Sequence, residues 1–146
     1  MAAHARRSLA GALAGTGKGE MMEQYDPLDA PDAADWLATD EGERIELVRA
    51  YHQRAKVKLP NATLHATMHV VVESQVAMGD ELPVRRIVDR LQAEGLDRHE
   101  AIHAVGSALA GYVHDVMKMG PPKTDPNKLY WASLEKLTAE GWRRAR

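Results

Sequence analysis

Apolar positions recur every three or four residues through most of the chain, which predicts amphipathic helices. Ile45, Leu47, Val48 and Tyr51 mark a helix over about 41–56, with Asp40 as its N-cap. Pro60-Asn61 ends that run and caps a helix over about 62–78, striped by Leu64, Met68, Val71, Val72 and Val76. Pro83 opens a helix that runs to Glu94, and Gly95 supplies the left-handed residue that closes it. After a very short turn, Ile102, Val105, Leu109, Val113 and Val116 stripe a long helix over about 98–119, which Gly120-Pro121-Pro122 stops. A last helix is predicted over about 126–141. Upstream, the Pro/Asp/Ala-rich stretch 26–40 reads as irregular, with one turn of helix near 32–37. The fold expected is all-α: an antiparallel helical bundle of about five helices, since short loops favour antiparallel neighbours.

Composition sharpens that picture in three ways. There is no Phe, with only 3 Trp and 4 Tyr, so Leu, Val, Ile, Met and Ala must fill the core, which suits helices. There is no Cys, so any transition-metal site must use imidazole and carboxylate. A formal net charge of −2 leaves no basic excess of the kind nucleic-acid binding exploits, and no apolar run reaches membrane-spanning length. Arg6-Arg7 before a short Gly/Ala/Leu run faintly resembles a twin-arginine export signal. Residues 1–22 are expected to be a disordered leader or a vector-derived segment, with 23–146 forming a single helical domain. A cytoplasmic location is the default.

The candidate chemistry lies in two histidine pairs, His65/His69 and His99/His103, each four residues apart and so on one helical face. At about 100° per residue, His69 falls about 40° and Glu73 about 80° from His65. Val72 and Val76 flank them, so the pair sits at the edge of the buried stripe. On the second helix His103 and His114 share the face of His99, with Gly106 and Ala110 between them. Small residues there would let a facing helix approach closely. Four imidazoles on two neighbouring helices point to one divalent transition metal (Zn, Fe, Ni or Mn), with His65, His69, His99 and His103 as ligands. Glu73 is expected as a fifth ligand or as an acceptor behind one. The alternative is that these histidines are satisfied core residues of a structural or partner-binding bundle.

His99-Glu100-x-x-His103 also spells the zinc-metalloprotease motif. Asp97 followed three residues later by Glu100 reads instead as a capping box at a helix start. Leu109 stands where the extended motif needs a third histidine. His114-Asp115 is a short match to a phosphohydrolase segment; a helix-end or supporting role for His114 is expected. The 84–91 and 97–109 helices have helix-turn-helix proportions, with Arg85, Arg86, Arg90 and Arg98 available for phosphates. Glu100, Ala101 and Ala104 are poor base readers, which disfavours nucleic acid.

Leu64-His65-x-x-x-His69-x-x-x-Glu73-x-Gln75, then Arg98-His99-Glu100-Ala101-x-His103, then Gly120-Pro121-Pro122 with Tyr130 and Leu134, resembles an uncharacterised bacterial family of short helical proteins. The resemblance covers about residues 59–137. It implies the histidine constellation and no particular reaction. Family members also carry an upstream His-Pro-Glu-Tyr-His segment, where this chain has only His52. No partner follows from the sequence, and a homo-oligomer stays open.

Overall fold

The computed structural model describes residues 22–145. The leader expected over 1–22 therefore lies outside the described residues, apart from Met22, which is buried. The described residues form seven α-helices and no strand, so the chain is all-α. In order they are α1 (Ala33–Ala38), α2 (Glu41–Arg54), α3 (Ala62–Ala77), α4 (Val84–Ala93), α5 (Arg98–Met119), α6 (Lys128–Lys136) and α7 (Ala139–Ala145). A 3-10 turn, Gly79–Glu81, links α3 to α4. No helix among these residues is long and apolar enough to cross a membrane.

The capping chemistry sets most of these boundaries. Asp32, Asp40, Asn61 and Asp97 each accept a backbone N–H from the first turn of the helix they precede. At the end of α4, Leu96 N–H reaches Leu91 O at 3.1 Å and Gly95 N–H reaches Gln92 O at 3.0 Å, with Gly95 at φ +110°. The end of α2 repeats the pattern with Lys56 at φ +58°, and there Val57 N–H caps the carbonyl of His52.

One element departs from expectation. The predicted final helix is two helices, broken at Leu137-Thr138. Thr138 Oγ1 accepts the Gly141 N–H at 2.9 Å, so Thr138 starts a new helix rather than continuing the old one.

Helix α3 is shared between two cores. Val72 joins Ile87 and Leu91 of α4, Ile102 and Val105 of α5, and Tyr130 and Leu134 of α6. Ala66 and Val70 join Met22, Tyr25, Trp36 and Val48 in the other. Helix α5 is 22 residues long, whereas α3 has 16 and α4 has 10. Its buried residues all fall between Arg98 and Gly106, and Val113, Met117 and Met119 near its end are exposed. Neighbours that short cannot cover the whole apolar stripe.

Gly106 marks the close approach of α5 to α3. A Cβ there would lie 2.0 Å from Met68 Sδ, so any larger residue would displace the Met68 side chain from its present place. The bundle thus holds α2 and α5 against α3 at a common level.

Candidate metal centre

That level is occupied by imidazoles. His52 lies in the last turn of α2, His65 and His69 on α3, and His99 and His103 in the first two turns of α5. Ring centroids are 4.7 Å apart for His52–His65, 5.0 Å for His52–His69 and 4.9 Å for each of His65–His69, His65–His103 and His69–His103. His52, His65, His69 and His103 each offer one ligand atom, and these atoms all lie within 4.8 Å of one another. His99 stands beside that set, its ring centroid 4.3 Å from His103 and 5.2 Å from His69.

Hydrogen bonding fixes which nitrogen keeps its lone pair in two of the rings. His52 Nδ1 lies 2.9 Å from the carbonyl of Val48, which can only accept, so Nδ1 carries the proton and Nε2 keeps a lone pair. His69 Nδ1 lies 3.2 Å from the Tyr25 hydroxyl. Tyr25 donates its one proton to Glu73 Oε2 at 2.5 Å, so its oxygen accepts from His69 Nδ1–H. His69 Nε2 is thereby left with its lone pair as well.

His69 Nε2 sits 3.0 Å from His103 Nε2. That is hydrogen-bond distance, and it lies close to the roughly 3.3 Å that separates two nitrogens bound at about 2.0–2.1 Å to one tetrahedral ion. The Nε2 atoms of His52, His65 and His99 are buried and have no hydrogen-bond partner. A core of satisfied histidines would not leave three such nitrogens unpaired, each at a cost of about 1–3 kcal/mol. The donor set fits a metal ion.

Electrostatics keep the rings neutral. Burial and the neighbouring His103 lower the pKa of His65 to about 4. Burial and His99 lower that of His103 to about 4. His69, with no exposed surface, is pushed far lower by burial and by His103. Burial and His52 also lower His99, against the pull of Asp97. Neutral imidazole is the form that binds a metal.

Glu73 is not a member of the close ligand set. It is 1% exposed and forms a bidentate ion pair with Arg98, at 2.7 Å from Nη2 to Oε1 and 2.8 Å from Nη1 to Oε2. Of the two roles expected for it, the geometry matches the acceptor behind a ligand, acting through Tyr25. Burial and the Glu73 charge raise the Tyr25 pKa well above its usual value, which holds the hydroxyl in its donating form. Arg98 also donates to the carbonyl of Pro27 at 3.0 Å, and Arg54 to that of Tyr25 at 3.1 Å. The segment bearing Tyr25 is thus clasped onto the centre.

The structure brings His65, His69, His99 and His103 together, and adds His52, which the sequence did not mark as a ligand. His114 is not part of the group: its side chain is 73% exposed, beside Asp115. It neither binds nor supports the cluster, because it lies on the exposed face of α5, beyond the buried stretch that ends at Gly106.

Asp97 Oδ1 accepts the Glu100 N–H at 2.8 Å, so Asp97 caps α5 as the spacing predicts. The arginines set aside for phosphates are engaged elsewhere: Arg85 with Asp80, Arg86 with Glu135, Arg90 with Glu94 and Arg98 with Glu73. Compared with known protein families, curated proteins and solved structures, the chain matches none.

Proposed function

We propose that this chain is a metal-binding helical bundle that holds one divalent transition-metal ion through His52, His65, His69 and His103. His99 stands alongside as a fifth imidazole, and Tyr25, Glu73 and Arg98 orient His69 from behind. The observation that carries the reading is the convergence of one ligand atom from each of these four histidines within 4.8 Å of one another, with the buried Nε2 atoms of His52 and His65 unpartnered. An all-imidazole set suits zinc, iron or nickel. It disfavours manganese, because the nearest buried carboxylate is already neutralised by Arg98.

X-ray absorption at the edge of the bound metal tests the ligand set. The expected result is a shell of nitrogen scatterers with imidazole outer-shell features, at about 2.0–2.1 Å if the ion is zinc. A shell dominated by carboxylate oxygen would overturn the assignment.

A further inference from the structure

We infer that the metal centre takes a small organic monoanion with an apolar body, of the short-chain carboxylate class, through a groove between α3 and α5. This rests on the metal-binding reading above. The groove has a volume of about 420 Å³ and is walled by Leu64, Met68, Gly106 and Trp142, with His65 and His103 also in its lining. Its size falls within the range of small-molecule sites. Of the four closely set histidines, the half-buried pair His65 and His103 line this groove, whereas His52 and His69 are buried behind them. The clasped segment carrying Tyr25 packs against His69 elsewhere in the cluster.

Charge selects the class of ligand. Four neutral imidazoles leave the full positive charge of a divalent ion uncompensated. Glu73, the buried carboxylate nearest the histidines in the bonding network, is already paired with Arg98. The residues lining the groove include no acidic side chain. A buried dication ringed by neutral donors therefore favours an anion at any further position. The walls around it are mainly carbon, which suits a hydrocarbon body behind an anionic head. A carboxylate with a short aliphatic chain meets both demands.

The test uses the full chain loaded with zinc, its metal content measured first, and titrated by calorimetry with acetate, butyrate and hexanoate. Affinity is expected to rise about threefold to fourfold per added methylene until the groove is filled. Chelated, metal-free protein should bind none of the three. Leu64 is 65% exposed, so Leu64→Ser should fold normally; it should weaken hexanoate binding while leaving acetate unchanged. Ala110→Asp, at an exposed position in the same lining, should weaken all three with metal content intact. Equal affinity along the series, or equal binding without metal, would overturn the proposal while leaving the metal site standing. A chain that takes up no zinc would bring down the metal-binding reading, and this inference with it.

Discussion

Tyr25 has one hydroxyl proton and two neighbours, Glu73 and His69, and the way it serves both sets the orientation of a ring in the cluster. Tyr25→Phe keeps the aromatic packing and removes only that oxygen. Metal affinity should fall by about 10–100-fold, as measured by competition with a chelator. An unchanged affinity would show that His69 needs no such support. Glu73→Gln tests the ion pair behind it: a buried guanidinium left without its carboxylate should cost about 3–5 kcal/mol of stability in urea denaturation. A Glu73→Leu/Arg98→Met double variant should recover much of that loss, because both charges leave together. At this scale the sequence was only partly legible. The two pairs were visible because helical spacing marks both members. His52 has no histidine four residues away, although it follows Ile45 and Val48 at helical spacing on the buried face of α2, a usable signal. Tyr25 lies in an irregular segment and Arg98 is 25 residues from Glu73, so no local pattern announced either contact.

Among the elements, α3 and α5 carry four of the five histidines, and Gly106 of α5 lies directly against the Met68 side chain of α3. Gly106→Val would place a branched side chain where Met68 now lies. It should cost about 1–3 kcal/mol and widen the gap between His69 and His103. Ion affinity should then fall while the helical circular-dichroism signal stays near wild type. Retained affinity would mean that the two helices need not approach this closely. Helix boundaries from Glu41 to Met119 were legible within a residue or two, because Asp40, Asn61, Asp97 and Gly95 are chemical stop and start signals. The final pair of helices was not, since the break is held by the Thr138 hydroxyl and by long-range bonds from Arg90 to the Leu134 and Leu137 carbonyls and from Ala139 N–H to Glu94, and nothing in the hydrophobic period marks it. The exposed end of α5 was also hidden, because its apolar stripe continues past the point where partner helices stop.

For the whole molecule, a cluster of neutral histidines makes metal-free stability depend on acidity in a definite direction. His65 and His103 are held at about 4 in the fold, against an ordinary value of 6.5. Between those values the unfolded chain binds more protons than the folded one. Their contribution is therefore fully present above about pH 6.5 and is lost as pH falls toward about 4. The urea midpoint of chelated protein should drop across that window, and a flat midpoint would mean the rings are not buried as described. Bound metal should raise stability at neutral pH and be lost in the same acidic range, because protons compete for the same nitrogens.

The most direct measurement is elemental analysis of untagged protein after gel filtration, beside a His69→Ala/His103→Ala double variant. The prediction is about one transition-metal ion per chain in the wild type, with the double variant nearly empty but still helical. Equally low metal in both proteins, persisting after incubation with zinc, iron and nickel, would contradict the account.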